Sequence, residues 1–126
     1  MKPLEGVTVL EFSTMITASF AAMMMAEQGA RVIKVEPMNV GDPMRYIGAN
    51  KGGISSLFAN CNRGKKSIRV NLKEEAGQNL IREMIGEVDI FIHNFRPGVM
   101  EKLNLGSEAL SCLLYTSPSP RDTRES

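Results

Sequence analysis

Polar and cationic side chains follow the four stretches of this sequence that are typical of buried strands. STMITAS comes after VTVLEF, PMNVGDPMR after RVIKVE, LK after SIRVN, and HNFRPG after VDIFI. In open α/β sheets a ligand binds outside the carboxyl ends of the strands, so binding chemistry is expected in these loops. Their hydroxyls, amides and cations suit a phosphorylated ligand held by side chains. The candidates for such contacts are Lys34, Arg45, Lys73, Asn94, Arg96 and Lys102.

Two common nucleotide-binding loops are absent from the sequence. STMITAS contains no glycine and cannot form the GxGxxG turn that lets a backbone approach a pyrophosphate, and no GxxxxGK[ST] segment occurs. A classical NAD or FAD site is therefore disfavoured. Cys61 and Cys112 lie far apart and His93 is the single histidine, so neither a metal site nor a disulfide framework is predicted.

The elements that must position these loops alternate between strands and helices. Val7–Phe12 and Arg31–Glu36 are predicted strands, and Ser19–Gln28 is a predicted helix with Ser and Thr as N-cap candidates and Gly29 as its stop. This order predicts a βαβ unit with parallel strands, and therefore an α/β fold. Further predicted elements are strands at Ser67–Asn71 and Val88–Ile92 and a helix at Lys73–Glu87 with Ala76, Leu80, Ile81, Met84 and Ile85 on one face. ISSLFANC is expected to form a short helical turn, and VMEKLNLGSEAL one short helix followed by the start of another.

A long segment rich in Gly, Pro and Asn separates the second and third strands. Such a stretch, here Pro37–Lys66, is usually a functional loop or a partly helical excursion. Within it, Asp42 and Arg45 either bind a ligand or hold a GDPxR turn with their own side chains. The cluster of Arg63, Lys65 and Lys66 is more typical of a solvated turn than of a phosphate site.

Composition limits the classes of function. The 126 residues are 43% hydrophobic, which is enough for a packed core. Fifteen Lys and Arg against fourteen Asp and Glu give a net charge of +1, so no nucleic acid partner is predicted. No signal peptide and no apolar run of roughly 20 residues is present, so no membrane partner is expected. These features predict a soluble cytoplasmic protein.

Several blocks of the sequence resemble, in order and spacing, the N-terminal portion of the class III CoA-transferase family. They are PLEGVTVLEF, GARVIKVEP, GDPMR, NRGKKSI, NLK and NFRPGVMEKLNLG, and they cover Pro3 to about Leu110. The family includes formyl-CoA transferase, the carnitine CoA-transferases and alpha-methylacyl-CoA racemase. The resemblance implies a Rossmann-like parallel sheet with flanking helices, present here as the incomplete N-terminal part of a larger domain.

The resemblance also implies a reaction and its site. In the transferases an active-site Asp, beyond the segment present here, attacks an acyl-CoA thioester and passes through a mixed anhydride and an enzyme-bound CoA thioester while a carboxylic acid takes the acyl group. The parent would be an interlocked homodimer that uses coenzyme A as substrate and needs no metal. The implied CoA contacts are Ile16, Thr17, Val70, Lys73, Asn94, Phe95 and Lys102.

Two alternatives stay open. The racemase branch instead removes and returns a proton alpha to the thioester carbonyl, and a non-catalytic nucleotide- or CoA-binding module would need no nucleophile. The first loop has Ile16 where the formyl branch has a polar group, which argues against formyl transfer, and Lys102 stands where some members have Arg.

The C-terminal stretch differs from the rest of the chain. CLLYTSPSPRD, Cys112 to Asp122, resembles one translated frame of a sequencing-library adapter. We therefore expect residues 1–110 to be the N-terminal part of a CoA-binding domain and residues 111–126 to be a non-native, disordered tail. A native Ser/Pro-rich terminus is the alternative that composition allows.

Overall fold

The central element of the structure is a parallel sheet. The computed structural model describes residues 2–13, 16–39, 41–96 and 98–103. Its strands are β1 (Thr8–Phe12), β2 (Arg31–Glu36), β3 (Asn50–Lys51), β4 (Ile54–Ser55), β5 (Lys66–Arg69) and β6 (Ile90–His93). The main sheet has the order β5-β2-β1-β6 with every pair parallel, and β3 and β4 form a separate antiparallel hairpin. The predicted α/β fold with a parallel sheet and flanking helices is confirmed.

The described helices are short. They are α1 (Thr17–Glu27), α2 (Ser56–Cys61), α3 (Glu75–Ile85) and α4 (Val99–Lys102), with a 3-10 helix at Pro43–Tyr46. None of these described helices has the length and apolar character needed to cross a bilayer. The chain divides into two compact units, one of the residues up to Val70 with Val88–Asn94, the other of Asn71–Glu87 with the described residues from Phe95 onward.

In the first unit, α1 packs on one face of the sheet. Val9 and Val32 are paired in register, and both are buried against Ala22 of α1 and Ala30. Side chains alternate between the two faces of a strand, so Glu11 and Lys34, two positions further on, lie on this same face. The predicted burial of β1 on both faces is confirmed, since every residue from Val9 to Phe12 is buried.

The excursion between β2 and β5 has its own local structure. Gly52 and Gly53 both adopt positive φ angles, which is the backbone of the tight turn that joins β3 to β4. Ser55 then caps α2, since its hydroxyl accepts a hydrogen bond from the Phe58 N–H. The prediction of a partly helical excursion is confirmed, whereas the hairpin was not predicted.

Several predicted boundaries were wrong by a few residues. The fourth strand begins at Ile90 and not at Val88; just before it, the Asp89 carboxylate accepts a hydrogen bond from the Thr8 N–H at 2.8 Å and the Asp89 N–H donates to the Thr8 carbonyl at 2.9 Å. The third strand ends at Arg69, and Asn71 accepts a hydrogen bond from the Lys73 N–H in the turn that follows. The N-cap of α1 is Ile16, without a side-chain cap, so the predicted Ser or Thr cap was wrong.

The second unit contains α3 and α4. Ile81 and Ile85 form the buried face of α3, as predicted, but Leu80 is 45% exposed and Ala76 is exposed as well. The helical period explains this difference, since each residue turns the helix by about 100° and Leu80 and Ala76 therefore lie about 100° and 140° around the axis from Ile81. The predicted tail at residues 111–126 and Cys112 lie outside the described residues.

Candidate functional site

The strand order identifies one edge of the sheet as the place for a ligand. The chain runs from β1 through β2 to β5 in one direction and then returns to the other side of β1 with β6. In open α/β sheets, ligands bind at the carboxyl ends of the strands where this direction reverses. Phe12 is paired with His93, so Ser13 and Asn94 leave the sheet side by side at that point.

Four of the predicted CoA contacts belong to the first unit. Ile16 is 47% exposed, and Thr17 and Asn94 are exposed as well, so these three have accessible side chains at the loops that follow β1 and β6. Val70 follows β5 and is only 6% exposed, so its side chain belongs to the core. Neighbouring strands are about 4.8 Å apart, so the ends of β5 and β6 are separated by roughly 14 Å, a span that an extended ligand can cover.

The remaining three predicted contacts belong to the second unit. Lys73 lies exposed in the turn before α3, and its backbone N–H is held by the Asn71 side chain at 3.1 Å. Lys102 is exposed at the last residue of α4, and Phe95 is half-buried. Both lysines therefore present solvent-accessible ammonium groups, which is what phosphate contacts need.

A buried ionic cluster contacts the segment between β1 and α1, which we call the first loop. It consists of Glu11, Lys34, Asp42 and Lys65, whose side chains are at most 2% exposed. Lys34 Nζ lies 2.8 Å from Glu11 Oε2 and 3.0 Å from Asp42 Oδ2, and Lys65 Nζ lies 2.6 Å from Glu11 Oε1. Two carboxylates face two ammonium groups, so the cluster is neutral overall, as buried charges must be.

This cluster holds both ends of the first loop. Lys34 Nζ donates to the Ser13 carbonyl at 3.3 Å and to Ser19 Oγ at 3.1 Å. Lys65 Nζ donates to the Ser19 carbonyl at 2.8 Å, and the Ser13 hydroxyl donates to the Glu11 carboxylate. The serines that sequence patterns suggested as helix caps instead fix the loop that carries Ile16 and Thr17.

Burial lowers the pKa of Lys65 below the ordinary lysine value, although the hydrogen bond and charge of Glu11 offset part of that effect. The sequence had indicated a solvated turn at this position, and that interpretation was wrong for Lys65. Lys34 is 1% exposed and fully engaged, so the suggestion that it contacts a phosphorylated ligand was also wrong. Arg63 is exposed, as a solvated turn requires, and Lys66 is exposed as the first residue of β5.

Glu36 organises the GDPxR turn. Its carboxylate accepts hydrogen bonds from Arg45 Nε at 2.8 Å and Nη2 at 2.7 Å, from the Asp42 N–H at 2.7 Å, and from the Ser67 hydroxyl. Burial alone would raise the pKa of Glu36, but these bonds and the Arg45 charge lower it from 4.5 to about 2. The turn is also held by its own side chain, since Asp42 Oδ1 accepts from the Met44 N–H.

An open cleft of about 360 Å³ is lined in part by Arg45. The Arg45 guanidinium stacks on the Phe58 ring with its carbon 4.1 Å from the ring centroid. We call this space the Phe58 cleft; it is lined by Arg45, Gly53, Ile54, Ser55, Phe58, Ala59, Asn62 and Arg63. Among the residues that the structure describes, no group of three or more His, Cys, Asp or Glu is arranged to hold a metal ion.

Comparison of the sequence with known proteins identifies its family. The profile of CoA-transferase family III matches residues 4–113. The chain belongs to CoA-transferase family III. It is 37% identical over 121 residues to an acetyl-CoA:oxalate CoA-transferase of Acetobacter aceti, covering 93% of this chain and 31% of the relative. It is 39% identical over 109 residues to the succinyl-CoA:glutarate CoA-transferase of Mus musculus, covering 86% of this chain and 25% of the relative.

Solved structures of family III superpose on the same region. A CAIB/BAIF family protein from Brucella suis matches with a TM-score of 0.82 and 33% identity, covering 90% of this chain and 31% of that protein. A hypothetical protein from Mycobacterium tuberculosis matches with a TM-score of 0.83 and 35% identity, covering 91% and 31%. The chain thus spans about a quarter to a third of the length of the family III proteins that it matches.

Sequence reasoning missed the buried ion pairs of this site, and it assigned Lys34 to a phosphate contact instead. Glu11, Lys34 and Glu36 stand inside apolar strands, where charged residues are unusual. Their placement inside apolar strands was the available signal of ion pairing, because a charged side chain is buried there only with a partner.

Proposed function

We propose that this chain is the N-terminal part of the CoA-binding domain of an enzyme that moves CoA between an acyl-CoA thioester and a carboxylic acid. The observation that carries the proposal is the pair of accessible loops after β1 and β6, which flank the reversal of strand order in a chain of family III. The names of the relatives, acetyl-CoA:oxalate and succinyl-CoA:glutarate CoA-transferase, support transfer to a small carboxylic acid.

The described residues would supply binding and orientation. Ile16 and Thr17 would contact CoA from the first loop and Asn94 from the loop after β6, where amide and apolar neighbours suit pantetheine and adenine. Lys73 and Lys102 would pair with phosphates. Val70 and Phe95 complete the contact set that the family resemblance implies, Val70 through its backbone because its side chain is buried.

The proposed chemistry needs a carboxylate nucleophile. An aspartate would attack the thioester carbonyl and release CoA thiolate, which would then attack the resulting anhydride to give the enzyme-bound thioester and the free donor acid. The acceptor acid would complete the exchange by the reverse steps. We place that aspartate outside this sequence, and we expect residues 1–110 to be native and residues 111–126 to be a non-native tail.

We also propose the assembly and location of the parent protein. The family resemblance favours an interlocked homodimer, and the composition of the sequence favours the cytoplasm. Size-exclusion chromatography with light scattering of the longer parent protein would test the dimer, and a monomer at micromolar concentration would contradict it.

The test of the proposed function begins with the source DNA. We would sequence the reading frame onward from the codon for residue 110, express the product, and supply succinyl-CoA or acetyl-CoA with oxalate or glutarate. The expected result is a new acyl-CoA detected by mass spectrometry, lost when the candidate aspartate is changed to asparagine. CoA binding without transfer would contradict the transferase proposal and favour a binding module.

The same protein distinguishes the racemase alternative. In deuterated water, a racemase would incorporate deuterium alpha to the thioester carbonyl without any acid acceptor. A transferase would leave that position protonated and depend on the acceptor acid. We expect the second outcome.

A further inference from the structure

The described side chains that line the Phe58 cleft offer more hydrogen-bond donors than acceptors. Arg45 donates from Nε and Nη2 to Glu36, no contact between described residues uses its Nη1 group, and its side chain is 32% exposed. Asn62 donates one amide hydrogen to the Phe58 carbonyl, and its Oδ1 already accepts from Lys65. The Ser55 hydroxyl donates to the Ile47 carbonyl and accepts from the Phe58 N–H, so it has no proton left to donate to a ligand.

The charged side chains that line the cleft are both cationic. Arg45 and Arg63 line the cleft, whereas Glu36, the partner of Arg45, is fully buried and does not line it. Arg63 pairs with Glu27 at 3.2 Å, but both side chains are more than half exposed, so this pair is weak and its other donors are accessible. A ligand that accepts hydrogen bonds and carries negative charge therefore suits the two guanidinium groups.

The rest of the lining is apolar. Ile54 is 61% exposed, Ala59 is exposed, and the Phe58 ring is half-buried with Arg45 stacked on it. An inorganic anion would gain nothing from these surfaces, whereas an organic acid would bury its hydrocarbon part on them. A volume of about 360 Å³ falls within the range of small-molecule sites.

We propose that the Phe58 cleft binds a small organic carboxylate, with its acid group on Arg45 and Arg63 and its apolar part on Phe58 and Ile54. This is a second binding site, separate from the loops that follow β1 and β6. That the carboxylate is the acid substrate of the transfer rests on the proposed function; the binding itself does not.

The test is a titration of the 15N-labelled 126-residue chain with hexanoate, followed by NMR. The backbone amides of Gly53, Ser55, Ala59 and Arg63 should shift and saturate. Hexanamide, which has the same chain without the charge, and inorganic phosphate, which has the charge without the chain, should give no saturable shift. A saturable response to either compound at the same midpoint as hexanoate would overturn the proposal.

Two variants and a matched control locate the site. Ala59→Leu fills the cleft with a good helix former and should abolish the saturable response, whereas Ala76→Leu, at an exposed position of α3, should retain it. Arg63→Gln should weaken binding by about two- to fivefold, the range expected for an exposed ion pair. If Ala59→Leu fails to fold, Arg63→Gln decides, and an unchanged affinity in either folded variant overturns the proposal.

A parallel titration with CoA keeps the two proposals separate. Hexanoate binding without CoA binding would leave the carboxylate site in place and contradict the CoA contacts proposed for this part of the chain. CoA binding without hexanoate binding would support the proposed CoA contacts and overturn the carboxylate site.

Discussion

Glu11 of β1 and Lys34 of β2 occupy directly paired positions in the sheet, and their charged groups meet at 2.8 Å with both side chains buried. Lys65 reaches the other oxygen of the same carboxylate from a segment 54 residues away along the chain. The neutrality of the buried cluster therefore depends on a long-range contact. Removing one member leaves an uncompensated charge in the core, which is far more costly than removing an exposed charge.

Lys65→Met should strongly destabilise the protein. The change leaves Glu11 and Asp42 opposed by Lys34 alone, so we expect the free energy of unfolding to fall by about 3 kcal/mol or more. The neighbouring Lys66→Met is the control, because Lys66 is exposed on β5 and should change stability by less than about 0.5 kcal/mol. Urea unfolding of both variants measures the difference, and equal losses would show that the cluster does not stabilise the fold.

The carboxylate of Glu36 should make the free energy of unfolding depend on pH in the acidic range. Its folded-state pKa of about 2 lies below the ordinary 4.5, so the folded state binds its proton less readily than the unfolded state. The stability that this carboxylate contributes is complete above pH 4.5 and is lost as the pH falls towards 2, by about 3 kcal/mol in total.

Urea unfolding between pH 6 and pH 2.5 would measure that loss. Glu36→Gln should be less stable at pH 6, because Arg45 loses its partner, but should show a flatter dependence on pH. Glu75→Gln, at an exposed position of α3, should keep the wild-type dependence. An unchanged slope in Glu36→Gln would mean that other carboxylates carry the acid sensitivity.

Gly41→Ala should disturb the Glu36–Arg45 pair. Gly41 has a φ of +74°, and an added Cβ would lie 2.6 Å from Glu36 Oε1 and 3.2 Å from Arg45 Nε. The left-handed backbone alone costs about 1–2 kcal/mol, and the contact with a buried carboxylate adds to this. Gly52→Ala isolates the backbone cost, since Gly52 also has positive φ but open space around it. Thermal unfolding should show the larger loss for Gly41→Ala, and a larger loss for Gly52→Ala would contradict this account.

The parts of the fold that depend on local pattern could be predicted, and those that depend on distant contacts could not. Arg31–Glu36 was predicted with the observed boundaries, because its apolar residues and flanking turns determine a strand locally. The Glu11–Lys34 pair was in principle readable from the parallel register of β1 and β2. The burial of Lys65 was not, because its partners Glu11 and Ser19 are more than forty residues away and no short-range pattern indicates them.

The candidate CoA site shows the same division. Its position followed from the strand order, and Ile16, Thr17 and Asn94 are accessible at the predicted edge. The contacts that hold the first loop could not be predicted from the sequence. Ser13 and Ser19 bind the buried lysines instead of capping α1. A hydroxyl near a helix start is ambiguous until its tertiary partners are known.

If Lys73 and Lys102 pair with CoA phosphates, their removal should weaken CoA binding and reduce its dependence on salt. Each side chain is exposed, so Lys73→Gln and Lys102→Gln should each raise the Kd for CoA by about two- to fivefold at low ionic strength. The effect should shrink at 1 M salt, where screening acts over about 3 Å. Lys51→Gln, at an exposed position of the β3–β4 hairpin, is the matched control and should leave the Kd unchanged. Isothermal titration calorimetry at two salt concentrations measures all three variants. Equal effects from Lys51 would show that only net charge matters, and no effect from Lys73 or Lys102 would remove both residues from the proposed phosphate contacts.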